Sequence, residues 1–304
     1  MKPGQRISEL FQNGRPVFSV EFFPPKNEAG ARQILRTANA LRRYQPDFVS
    51  ITYGAGGSTR ERTLEYGSLL QEIFEFEVMP HLTCVGHSKD DLREILKGFH
   101  DQGFRNIMAL RGDPPKGQTE FEPHPDGLRY ASELVAFIKR EFPDFCLGVG
   151  GYPEKHPEAA SAEADIQHLK QKVAAGSDFI TTQLFFDNRD FFKFVDNCRR
   201  AGIETPILPG ILPALSYDQV TKFCAFCQAT VPSELTDALA AAESDEAAAS
   251  VGVDWAYRQI CELLDAGAPG VHLYILNRSQ ATIELFHKLH AAGRFAHVAL
   301  DVAL

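Results

Sequence analysis

The fold class this sequence predicts is α/β, a single-domain (β/α)8 barrel of the TIM type, and three observations predict it. Short apolar runs rich in Val, Ile and Phe alternate with amphipathic runs along the whole chain, the pattern of βα units around a parallel sheet. The apolar runs number eight, whereas an open doubly wound sheet usually holds about five or six strands, so closure is expected. Polar residues also collect at the C-terminal ends of those runs, where barrels of this class build their sites.

Strand one is expected at 17–22 (VFSVEF), and the stripe Ile34, Leu35, Ala38 and Leu41 marks the helix after it. Strands two and three fall at 48–52 (FVSIT) and 77–83 (EVMPHLT). The stripe Leu92, Ile95, Leu96 and Phe99 leads into strand four at 106–110 (NIMAL). Strands five and six, at 145–150 and 178–183, flank the stripe Ile166, Leu169 and Val173. Strand seven spans 206–211 (PILPGI) and strand eight 271–275 (VHLYI), and the stripe Ile283, Phe286 and Leu289 completes the last unit. The connection before strand eight, roughly 212–270, is unusually long and carries the Ala-rich acidic tract DALAAAESDEAAAS. It is read as extra helices packed on the barrel flank, with a mobile insertion as the alternative. No linker or low-complexity tail divides the chain, so one domain over 1–304 is expected.

Of 304 residues, 44% are hydrophobic and 23% charged, the composition of a globular chain with a large core. The net charge of -9 argues against nucleic acid and anionic membranes, whose phosphates attract clustered Lys and Arg. The N-terminal MKPGQRISELF lacks the apolar centre of a secretory signal, so a cytoplasmic location is expected. Six scattered cysteines fit reduced thiols better than a disulfide framework. Cys224 and Cys227 form a CxxC, but FCAFC reads as helix and no second pair completes a zinc site, so no metal is expected.

Glu21 ends strand one among Val, Phe and Pro, where an unpaired charge is unfavourable and the carboxyl pKa is expected to rise, as a general acid requires. The alternative is a salt bridge to Arg111 or another base. Asp113 follows Arg111-Gly112 in a loop stiffened by Pro114 and Pro115, and it either presents a fixed negative charge or caps a turn. His81 and His156 lack companions at ligand spacing, which favours hydrogen bonding over metal binding. No GxSxG elbow or strand-end Lys supports covalent catalysis. Gly54-Ala55-Gly56 and Gly148-Val149-Gly150 both lack the third glycine of a dinucleotide fingerprint, so a nicotinamide would bind without a Rossmann unit.

Eight motifs in order, SVEFFPPK (19–26), SITYGAGGSTRERT (50–63), PHLTC (80–84), ALRGDPP (109–115), GGYPEKHPEA (150–159), TTQLFFD (181–187), PGILP (209–213) and LYILNR (273–278), resemble methylenetetrahydrofolate reductases of the bacterial single-domain type. The resemblance covers nearly the whole chain, though the loop 117–126 (GQTEFEPHPD) has no strong match in it. It implies an oxidoreductase that binds FAD and passes hydride from NADH or NADPH to 5,10-methylenetetrahydrofolate in a ping-pong sequence, yielding 5-methyltetrahydrofolate for methionine synthesis. The implied flavin contacts are Thr52, His81, Arg111, Gly112, Asp113, Tyr130, Ala131, Tyr152, His156, Asp165 and Lys172. The implied folate side is Asp113, Gln183, Gln219, Phe223 and Arg278, with Glu21 as the general acid and Asp113 tuning the flavin. The resemblance further implies a homo-oligomer, and with the chain ending at Leu304 no C-terminal regulatory domain is expected. Two rival readings are a flavin-free lyase or isomerase using Glu21 and Asp113, and a folate-binding subunit that needs a redox partner.

Overall fold

A computed structural model describes residues 4–53, 60–114, 117 and 121–294. The Gly-rich stretch 54–57 and part of the 117–126 loop lie outside the described residues. The eight strands are β1 (Val17–Phe22), β2 (Phe48–Ile51), β3 (Val78–Thr83), β4 (Asn106–Leu110), β5 (Cys146–Gly151), β6 (Phe179–Leu184), β7 (Ile207–Ile211) and β8 (Gly270–Tyr274). They pair in parallel in chain order, and β8 returns to β1 to close the barrel. Each lies within a residue of its expected bounds at either end, because alternation and turn chemistry are local signals.

The outer layer holds α2 (Glu28–Arg42), α3 (Arg60–Glu72), α4 (Lys89–Asp101), α5 (Ala131–Glu141), α6 (Ala162–Ala174), α7 (Asn188–Arg200) and α11 (Gln280–Ala291), after a short N-terminal α1 (Ile7–Leu10). Side-chain caps start several of them: Ser88 and Asp91 form a reciprocal capping box on α4, and Ser161 accepts the Ala164 N–H on α6. The expected stripes face the core with one exception. Leu35 is 36% exposed, since it lies beside the stripe that Ile34, Ala38 and Leu41 bury.

The long connection holds three helices: α8 (Tyr217–Cys227), α9 (Ser233–Ala240) and α10 (Asp245–Asp265). Leu235, Leu239 and Ala248 pack there with Val220 onto Leu184, Phe186, Leu212 and Ala214, forming a core of their own beside the barrel. The extra-helix reading therefore holds, and FCAFC ends α8 as expected. Among the described residues, no helix is long and apolar enough to cross a membrane.

Inside the barrel the layers differ in character. The floor is apolar: Ile7 and Leu10 of α1 close it against Val17, Phe48, Met79, Met108, Cys146, Phe179 and Leu208. Burying one such large side chain stabilises by roughly 1.5–3 kcal/mol. The N-terminal arm is pinned by polar bonds as well. Asn106 accepts the Ile7 N–H at 2.8 Å and donates to Gln5 O and to Glu77 Oε1, while Glu77 Oε2 accepts the Gln5 N–H at 2.7 Å.

Burial pushes the Glu77 carboxyl up to about 7, although hydrogen bonds from Gln5 and Asn106 and the nearby Arg105 pull the other way. A folded value above the ordinary 4.5 means that the contribution to stability is full below pH 4.5 and is lost as pH rises through about 7. Glu77→Gln cannot ionise. Its Tm relative to the parent is expected to improve between about pH 5 and about pH 8, by on the order of a few degrees. A difference that stays constant with pH would show that the carboxylate is not strained by burial.

Candidate active site

The mouth of the barrel is a cavity of about 370 Å³ at the C-terminal ends of the strands. Its walls carry Glu21, Thr52, His81, Arg111, Gly112, Asp113, Tyr152, Gln183 and Phe223, nine of the residues singled out in the sequence. Strand register explains the deepest part. Ser19 stands opposite His272, and Glu21 stands opposite both Ser50 and Tyr274. Residues so paired in neighbouring parallel strands point to the same face, here the interior.

Glu21 is 6% exposed. Its Oε2 lies 3.5 Å from His81 Nε2, 3.8 Å from His272 Nε2 and 3.5 Å from the donating Ser50 Oγ. Ser19 Oγ is 2.8 Å from His272 Nδ1, which fixes that ring with its other nitrogen toward the carboxyl. Burial pushes the His81 imidazole down to about 4, with His272 adding to the effect and Glu21 opposing it. His81 is therefore neutral at ordinary pH. Its Nε2 and Thr181 Oγ1, both on the cavity wall, are buried without a hydrogen-bond partner among the described residues.

Of the partners expected for a salt bridge from Glu21, Arg111 is engaged elsewhere, and the bases beside the carboxyl are the two histidines. Glu158 takes both Arg111 Nη atoms, at 2.5 and 2.7 Å, and the guanidinium lies over the Phe121 ring. Gly112 makes the turn between Arg111 and Asp113 with φ of 87°, and a Cβ there would come within 2.7 Å of Val85. This turn gives Asp113 its place on the cavity wall.

On the next strand, Tyr152 meets His156 edge-on at 4.5 Å between ring centroids. Asp165 accepts the His156 N–H at 2.9 Å, and Lys172 Nζ donates to Gly150 O. Burial pushes the Lys172 ammonium down to about 8 and the Tyr152 phenol up. These three contacts attach His156, Asp165 and Lys172 to the β5 side of the cavity. Tyr130 and Ala131 sit at the start of α5, on the same end of the barrel, with Tyr130 exposed.

Thr181 and Gln183, two apart on β6, both reach the cavity wall by strand alternation, and the β6–β7 register is irregular between Thr181 and Leu184. Gln183 Oε1 accepts the Leu184 N–H at 2.9 Å, which sets the amide plane. Gly210 leaves room for Tyr274: a Cβ there would lie 2.6 Å from the ring, whose hydroxyl donates to Thr182 O at 2.6 Å. Gln219 and Arg278 do not line the main cavity. They line a small adjoining hollow that shares Tyr274 and Leu276 with it.

Sequence reasoning missed Ser19, Ser50, His272, Tyr274 and Glu158. His272 and Tyr274 alternate within the apolar VHLYI, so a period-two reading of that strand would have marked them as an inward pair. Asn277 exchanges side-chain hydrogen bonds with the backbone of Phe23 at 2.9 and 2.8 Å, clipping the β8 loop to the β1 loop beside Arg278. No local signal marks that role.

A family model described as methylenetetrahydrofolate reductase matches residues 6–290. A relative from Arabidopsis thaliana, methylenetetrahydrofolate reductase (NADH) 1, is 39% identical over 300 residues, covering 95% of this chain and 51% of its own length. The 5,10-methylenetetrahydrofolate reductase of Salmonella typhimurium is 38% identical over 286 residues and is covered over 94% of both chains. The chain thus spans about half the length of the plant relatives and nearly all of the bacterial ones. Among solved structures, an uncharacterized Clostridium thermocellum protein that binds two copies of 5-methyl-5,6,7,8-tetrahydrofolic acid shares the fold. Its TM-score is 0.66 at 16% identity, over 92% of this chain and 95% of that one. By the family model and by identity across its length, the chain belongs to the methylenetetrahydrofolate reductase family.

Proposed function

We propose that this chain reduces 5,10-methylenetetrahydrofolate to 5-methyltetrahydrofolate, holding FAD in the barrel mouth and drawing hydride from NADH or NADPH. The observation that carries the reading is the buried Glu21 on the cavity wall, ringed by imidazoles and hydroxyls in a chain whose family is named for that reaction.

The residues present fit a flavin. His81 Nε2 and Thr181 Oγ1 are buried polar atoms that a flat, polar heterocycle would satisfy. Tyr152 and Thr52 would flank such a ring, and Tyr130 and Ala131 at the start of α5 would meet the far end of the cofactor. Arg111, Gly112 and Lys172 would receive the pyrophosphate, whose charge would favour the ammonium form that burial disfavours at Lys172. Asp165 would hold His156 and meet a ribose hydroxyl. When bound, FAD supplies two-electron chemistry, taking hydride from the reduced nicotinamide and giving it to the methylene carbon.

The chain's own task is to bind, orient and protonate. Gln183 offers donor and acceptor groups to a pterin edge, Phe223 a flat face, and Gln219 and Arg278 a place for the carboxylated tail. Glu21 holds the proton that opens the methylene bridge, at a carboxyl that His272 and Ser19 connect to further hydroxyls. Asp113, on the cavity wall, favours the cationic folate so formed by Coulomb attraction.

The deciding experiment is anaerobic. The purified protein is expected to be yellow, to bleach with NADH or NADPH, and to recolour with methylenetetrahydrofolate. A colourless protein that cannot be reconstituted with FAD would support a lyase or isomerase instead. A yellow protein that neither nucleotide bleaches would point to a subunit that needs a redox partner.

Two substitutions separate the roles. Glu21→Gln conserves size while removing the acid. It is expected to keep FAD and to be bleached by nucleotide within roughly tenfold of the parent rate, but to recolour about 10² to 10⁴ more slowly. If both half-reactions fall together, Glu21 is a structural partner and the proton comes from elsewhere. Asp113→Asn is expected to retain FAD, raise the flavin potential and slow the folate half-reaction more than reduction by nicotinamide. An unchanged potential with full turnover would reduce Asp113 to a turn residue.

A further inference from the structure

The β5–α6 loop holds a second glutamate, Glu154, that no part of the proposed chemistry uses. Its carboxylate accepts the Thr230 N–H at 2.9 and 3.1 Å and the Thr230 hydroxyl at 2.5 Å. The setting is wrong for charge pairing: at the neighbouring Asp190, burial and then the Glu154 charge push the carboxyl up. A carboxylate kept beside another carboxylate is held there by its hydrogen bonds.

Thr230 lies just beyond the end of α8, after Gln228, which turns the chain with φ of 55°. A non-glycine residue in that region is strained and persists only where its surroundings hold it. α8 carries Phe223 and Cys227 to the cavity wall and Gln219 to the adjoining hollow. Glu154 is two residues beyond Tyr152, which stands on the same cavity wall. The Glu154–Thr230 bonds therefore tie the proposed flavin side of the mouth to the helix that bears the proposed substrate contacts.

We infer that Glu154 is a positioning residue that latches α8 over the cavity and thereby sets how tightly the second substrate is held, without touching that substrate. The inference rests on the proposed function for its substrate, though not for the latch itself. Loosening α8 weakens ground-state and transition-state binding alike, which raises KM and leaves kcat in place.

The test uses FAD-loaded protein with Glu154→Gln, Glu154→Ala and Thr230→Val. Glu154→Ala is expected to raise the KM for methylenetetrahydrofolate roughly tenfold, with kcat within about twofold and FAD content unchanged. Glu154→Gln, which keeps one acceptor, and Thr230→Val, which keeps the N–H, are expected to raise KM about threefold. Thr230→Val is expected to add little once Glu154 is Ala, because the two groups act through one contact. Hydrogen exchange at the 217–232 segment is expected to quicken in all three variants, with the strands unaffected. An unchanged KM, a fall in kcat at constant KM, loss of FAD, or additive effects in the double variant would each overturn the latch. An inactive parent would sink the proposed function instead, and exchange at 217–232 would still decide the latch: quickened exchange upholds it, unchanged exchange rejects it.

Discussion

A carboxyl inside a closed barrel is unfavourable unless polar groups surround it, and the architecture of the upper barrel follows from that constraint at Glu21. The answer is not a buried guanidinium. Two imidazoles and a serine hydroxyl approach Oε2 from β2, β3 and β8. Such partners can share a proton with the carboxyl, whereas a fixed guanidinium would hold it ionised. Arg111 is kept apart by Glu158, so its charge faces the rim. Below this polar layer, α1 and a ring of large apolar side chains exclude water, which leaves the mouth as the approach to Glu21.

The rim is held by short polar ties between loops that follow different strands. Asn277 joins the β8 loop to the β1 loop, Glu158 joins the β5 loop to the β4 loop, and Glu154 joins it to the segment after α8. Strands position the reacting groups rigidly, because each is bonded on both sides. The loops gain comparable order only through such side-chain bonds, most of them charge-assisted. The three helices before β8 add a core of their own, which supports α8 on one face and leaves the opposite end of that helix to the Thr230 contact.

Much of this was legible in the chain. Apolar β-rich runs gave the strands to within a residue and apolar stripes marked four of the helices, and polar strand ends gave Glu21, Thr52, His81, Arg111, Asp113, Tyr152 and Gln183 on the cavity wall. The departures have simple causes. Leu35 reads as core because it adjoins the stripe, yet one step around a helix turns it to solvent. Gln219 and Arg278 belong to a side hollow because α8 and the β8 loop lie beside the main cavity. His272, flanked by apolar residues, reads as an ordinary core histidine until Ser19 and Glu21 are seen beside it.

By itself the sequence determined the eight βα units, the extra helices before β8, the polar residues at the strand ends, and the motifs of one family. These are properties of residues near one another in the chain, where period, capping and composition act. Only the tertiary structure decided which side chains meet. Ser19 and His272 are 253 positions apart, and they touch because closure sets β8 against β1 in one particular register. A shift of one residue would turn His272 outward and leave Glu21 without it, and no local preference along either strand selects that register.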